Sequence, residues 1–68
     1  MRIIVDAFGG DNAPVEILKG AAMAVVAYGC DIVLTGDEEV LHYLQKLSEP
    51  YGTKIQIKDG VGTIQMQA

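Results

Sequence analysis

Ile3, Ile4 and Val5 are three consecutive β-branched residues, and they run straight into Asp6-Ala7-Phe8-Gly9-Gly10-Asp11-Asn12-Ala13-Pro14. A continuous apolar run of this length asks for burial on both faces of a strand, the habit of a central parallel strand. The two glycines turn the chain. Asn12 is a suitable N-cap, and Pro14 and Glu16 suit a first helical turn. The segment therefore predicts a buried strand over 2–6, a loop over 7–12 and a helix start. Open α/β sheets bind ligands at such junctions, because unpaired amides and the helix dipole favour an anion there.

The rest of the chain repeats the alternation. Ile17, Leu18, Ala21, Val25 and Tyr28 recur at helical spacing and predict a helix over 13–28, with Gly29 as its left-handed C-terminal cap. Ala21, Ala22 and Ala24 keep that helix slim, and Gly20 is small enough to admit another backbone. Asp31-Ile32-Val33-Leu34-Thr35 reads as a second strand. Thr35 with Glu38 reads as a capping box opening a helix over 37–48, with Val40, Leu41, Leu44 and Leu47 inward and Pro50 and Gly52 beyond its end. Lys54-Ile55-Gln56-Ile57-Lys58 alternates, which predicts a third strand with one wet face near a sheet edge. The order is β-α-β-α-β, a Rossmann-like α/β unit over 1–58 with parallel strands and right-handed crossovers. The tail 59–68 opens on a turn signal, Asp59-Gly60; Val61, Ile64 and Met66 then fit either a strand or a helix.

Size and charge restrict what such a unit does. A chain of 68 residues is one small domain. At this size a domain buries only about 60% of its unfolded surface. Half of the residues are hydrophobic, which implies surface meant to be covered by more chain or by a partner. A net charge of −4 argues against nucleic-acid binding and against a polybasic membrane patch. No apolar run approaches the ~20 residues of a membrane-spanning helix. No secretory signal is visible, and Cys30 is the only cysteine. The expected setting is a reducing, cytoplasmic one.

The candidate site is the first loop: Asp6, Gly9, Gly10, Asp11 and Asn12. Backbone amides around Gly9-Gly10 suit a phosphate or a developing oxyanion. The plainer role of these glycines is to turn the chain between strand and helix. Asp6 stands at the carboxyl end of its strand, where it serves either as a functional carboxylate or as an acceptor bracing loop amides. Asp11 and Asn12 either meet substrate or cap the helix. A carboxylate repels phosphate, so Asn12 is the better contact. The loop matches neither a dinucleotide fingerprint nor a P-loop, and no cofactor is expected. Elsewhere the plain roles prevail. His42, the only histidine, falls opposite Leu41 and Leu44 on a solvated face. Cys30 is a buried inert thiol, and Asp37, Glu38 and Glu39 are helix-start charges. One histidine and one cysteine make no structural zinc site, so no metal is expected.

Residues 1–14 together with Ile32-Val33-Leu34-Thr35-Gly36-Asp37-Glu38 resemble bacterial phosphate acyltransferases of fatty acid and phospholipid synthesis. The likeness spans roughly residues 1–58 and is most specific at Gly9-Gly10-Asp11-Asn12-Ala13-Pro14, with Phe8 standing where the family usually has methionine. The resemblance implies a cytoplasmic enzyme of lipid metabolism that moves a fatty acyl group from acyl carrier protein to inorganic phosphate, giving an acyl phosphate. It also implies a three-layer α/β/α protein, similar to phosphate acetyltransferases and isocitrate dehydrogenases, that works as a homodimer. This chain would be an N-terminal piece of such an enzyme, inactive alone. A non-catalytic α/β association module is the second reading, supported by the apolar content. A phospho-receiver-like or flavodoxin-like domain is a third, but the acidic pocket with a lysine and the longer phosphate loop those require are not apparent.

Overall fold

The computed structural model describes residues 2–7 and 13–67. The elements are β1 (Arg2–Asp6), α1 (Ala13–Tyr28), β2 (Asp31–Thr35), α2 (Glu38–Ser48), a 3-10 turn (Glu49–Tyr51), β3 (Thr53–Lys58) and β4 (Val61–Met66). The chain is α/β, as its sequence predicts. α1 ends where Gly29 takes φ 66° and donates its N–H to the carbonyl of Val25 at 2.9 Å, which meets the expected C-terminal cap. α2 starts differently from the expectation. Asp37, not Thr35, is its N-cap residue, and no side chain closes a capping hydrogen bond.

The four strands form one mixed sheet in the order β1-β2-β4-β3. β1 and β2 are parallel, with Asp6 beside Thr35. β4 runs antiparallel to both β2 and β3. It follows that β3 points the same way as β1 and β2 but does not pair with β2. The all-parallel arrangement is thus corrected: the tail forms a strand, and that strand occupies the place between β2 and β3. Asp59-Gly60 is the reason. The two residues have φ 54° and 79°, the left-handed pair of a tight two-residue hairpin, and such a hairpin joins antiparallel neighbours only. Asp59 tolerates this conformation and Gly60 adopts it without steric cost.

The described residues make two layers rather than three. α1 and α2 touch each other and the same face of the sheet. Successive crossovers of one hand that progress across a sheet in one direction deposit their helices on one side, and here β1, β2 and β3 succeed one another in that way. The core lies between the layers. Leu18, Ala21, Ala22 and Val25 of α1 and Leu41 and Leu44 of α2 bury against Ile32, Leu34, Ile55 and Ile64. Gly62 of β4 sits beneath α2. A Cβ there would lie 3.0 Å from Ile55 Cγ2 and 3.4 Å from Leu41 Cδ2, so the glycine permits close helix-on-sheet packing. Hydrogen bonds join α2 to β3. The Gln45 amide donates to the Ile55 carbonyl at 2.8 Å, and the buried Thr53 hydroxyl donates to the Ser48 carbonyl at 2.9 Å.

Two burial expectations are corrected. Among the described residues β1 lies at the edge of the sheet, not at its centre: Ile3 is 40% and Ile4 70% exposed, because β2 alone of the described strands pairs with it and α1 lies mainly over β4. Tyr28, placed by spacing on the inner face of α1, is 83% exposed, since the helix ends there beyond the edge of the core. Gly20 meets no neighbour within 4 Å of an added Cβ, so no backbone approaches it.

Candidate functional site

β1 and β2 are parallel and in register, so their carboxyl ends emerge together. Asp6 and Thr35 are partners in that register, and Gly36 and Asp37 continue from Thr35 toward the start of α2. The ladder runs one residue past β1. Ala7, fully buried, donates its N–H to the Thr35 carbonyl at 2.8 Å. That donor is therefore held by the sheet and is closed to a ligand.

Asp6 is exposed and makes an interaction of its own. Of the five candidate residues it alone is described. Gly9, Gly10, Asp11 and Asn12 lie outside the described residues, as does Phe8. The chain re-enters at Ala13, the first residue of α1. The N–H groups of a helix's first turn have no carbonyl of that helix to donate to, and Pro14 carries none, so Ala13 and Val15 bring such donors to this end. The macrodipole of a 16-residue helix adds partial positive charge at the same place. This end of the sheet thus joins a helix N-terminus, the carboxyl ends of two parallel strands and the Gly36 turn. The residues the sequence did not single out here are Thr35 and Gly36. Their signal was the spacing of two strands in a β-α-β unit, which puts both carboxyl ends at one edge.

Of the remaining candidates, Asp37, Glu38 and Glu39 stand at the start of α2 beside this end, and the other two fall away from it. His42 is exposed on α2. Cys30 is half-buried just ahead of β2, its thiol 3.7 Å from the Ala24 carbonyl. Among the described residues no group of three or more histidine, cysteine, aspartate or glutamate side chains is placed to hold a metal ion. None of the described helices is long and apolar enough to cross a membrane.

Comparison with known proteins bears on the chemistry. The family described as fatty acid synthesis protein matches residues 1–68. A phosphate acyltransferase of Pelotomaculum thermopropionicum is 56% identical over 41 residues, covering 60% of this chain and 12% of that protein. Phosphate acyltransferases of Desulfitobacterium hafniense and Aquifex aeolicus are 36% and 34% identical over 67 residues, each covering 97% of this chain and 20% of the relative. The chain therefore spans about a fifth or less of the length of these relatives. No solved structure matches it. With its whole length matched, the chain belongs to the fatty acid synthesis protein family, beside relatives named phosphate acyltransferase.

Proposed function

We propose that this chain contributes the phosphate-facing opening unit of a phosphate acyltransferase that converts acyl-acyl carrier protein and inorganic phosphate to an acyl phosphate for phospholipid synthesis. The observation that carries the reading is the family match along all 68 residues. In this reading the amides of Gly9 and Gly10, the Asn12 side chain and the first turn of α1 receive anionic oxygen, and Asp6 braces the loop from the end of β1. A phosphate oxygen attacks the thioester carbonyl, negative charge gathers on the carbonyl oxygen, and the tetrahedral centre collapses to the acyl phosphate with loss of the carrier's thiolate. Fixed N–H donors assist where that charge develops, in a manner that costs no reorganisation during reaction. The carrier-protein surface and the acyl channel belong to chain beyond these residues. A cytoplasmic setting and a homodimeric assembly belong to the same reading.

The test is phosphate binding followed by amide resonances. Titrating inorganic phosphate into the 15N-labelled chain should move the signals of residues 8–15, with smaller shifts at Thr35 and Gly36. Chloride at matched ionic strength should leave them in place. Unmoved signals at millimolar phosphate would reject the anion-binding role of this loop.

A further inference from the structure

Asp59 is the only aspartate of the chain followed by glycine: Asp6 precedes Ala7, Asp11 precedes Asn12, Asp31 precedes Ile32 and Asp37 precedes Glu38. The residue after an aspartate decides how readily its carboxyl carbon meets the next backbone nitrogen, because a Cβ on that residue hinders their approach. Gly60 has none. We propose that Asp59 is a site of covalent self-modification. When the β3–β4 hairpin opens, the Gly60 nitrogen closes on the Asp59 carboxyl carbon, and the linkage ends as an isoaspartate that cannot rebuild the turn.

The step needs no reagent but water. A bond forms between the Gly60 nitrogen and Asp59 Cγ, and the amide hydrogen and the carboxyl hydroxyl leave together as water. The product is a five-membered succinimide. Water then opens the ring. Attack at Cγ restores the aspartate. Attack at the former backbone carbonyl leaves Gly60 bonded through Cγ, an isoaspartyl residue with one more carbon in the main chain. Nothing is oxidised or reduced.

The surroundings of Asp59 leave its side chain available. Among the described residues no hydrogen bond or ion pair engages the Asp59 carboxylate, so none has to break before it reacts.

The turn itself controls the geometry. With φ 54° at Asp59 and 79° at Gly60, the connection is a two-residue turn of the primed kind, in which ψ of the first residue is about +30°. That ψ sets the Gly60 nitrogen on the far side of the Asp59 carbonyl carbon from Cβ. Ring closure requires the nitrogen to swing round to the Cβ side, and the pairing of Lys58 with Val61 prevents the swing while the hairpin is closed. Opening of the hairpin therefore gates the reaction.

The product bears on the whole sheet. β4 lies between β2 and β3 and carries Ile64 into the core. A two-residue connection works because its twist matches that of the strands it joins. One added main-chain carbon ends that match and shifts Val61 away from Lys58, so the modification keeps β4 out of register once the hairpin has opened.

Incubation of the chain at neutral pH, folded and in unfolding urea, tests this. Isoaspartate, counted with an isoaspartyl carboxyl methyltransferase and a labelled methyl donor and located by fragmentation mass spectrometry, should gather at residue 59 and not at residues 6, 31 or 37. It should form about tenfold faster in urea than in the folded chain, since folded molecules react only through local opening. Asp59→Asn closes the same ring with ammonia as the leaving group, and its conversion to acid should show the same gating. The isoaspartyl chain, separated by chromatography and returned to buffer, should lose the dispersed amide signals of residues 61–66. The proposal is overturned by isoaspartate no more abundant at residue 59 than at the other aspartates in urea. It is equally overturned by equal rates in the folded and unfolded chain, or by an isoaspartyl product that keeps the signals of β4. None of these readouts involves phosphate binding by the first loop.

Discussion

Two glycines inside regular elements have opposite worth. Gly20 lies on the exposed side of α1 with open space where a Cβ would be. Alanine there removes backbone freedom from the unfolded chain and meets nothing in the fold, so Gly20→Ala should stabilise by about 0.5–1 kcal/mol. Gly62 lies beneath α2, where an added methyl would press on Ile55 and Leu41. Gly62→Ala should destabilise by roughly 1–3 kcal/mol through overpacking. Urea unfolding of both variants checks the pair; equal signs would contradict the packing described for β4. Spacing alone could not separate these residues. Gly20 reads as a point of close approach and Gly62 carries no signal of its own, because clearance depends on which element comes to lie above a glycine.

At the scale of elements, what was legible followed local chemistry. α1 ends at Tyr28 because Gly29 can cap it, and β3 alternates because one of its faces is wet. β4 was not legible. Gly62 interrupts its β-branched pattern, and the meaning of Asp59-Gly60 depends on what flanks it. The turn is now the decisive device, since it alone forces β4 antiparallel to β3. Gly60→Val should strain the left-handed position and cost about 1–2 kcal/mol. Asp59→Asn, a residue equally at home in such a turn, should be close to neutral. Thermal unfolding followed by circular dichroism distinguishes the two. The misreading of β1 has a different cause. Three β-branched residues in a row state a demand for cover on both faces but not which element supplies it, and within these residues only β2 and part of α1 do. At the candidate site, Asp6 was legible as the end of a strand. Its neighbours Thr35 and Gly36 were not, because they join it only through a register that topology sets.

The whole molecule is as dense as a domain of its length should be, with a radius of gyration of 10.4 Å. The value expected for 68 residues is about 11 Å. Compactness has nonetheless left Ile4, Met23, Val26, Tyr28 and Met66 at least half exposed. So small a body has too little interior for an apolar content of one half. Its cohesion depends on the last strand. β4 bonds to β2 on one side and to β3 on the other, and it brings Ile64 into the core. Ending the chain after Lys58 should therefore abolish cooperative unfolding and collapse amide dispersion, although every element of the β-α-β-α-β pattern would still be present. A dispersed spectrum from that shortened chain would show that β4 is dispensable.

That central position filled last has a bearing on how the protein is made. A nascent polypeptide leaving the ribosome displays β2 with one flank bare while α2 and β3 emerge, and the seam closes only when residues 61–66 clear the exit tunnel. Synthesis from the N-terminus thus delivers the parallel half early and withholds the piece that locks it, a window in which exposed strand flanks are open to chaperones or to misassembly.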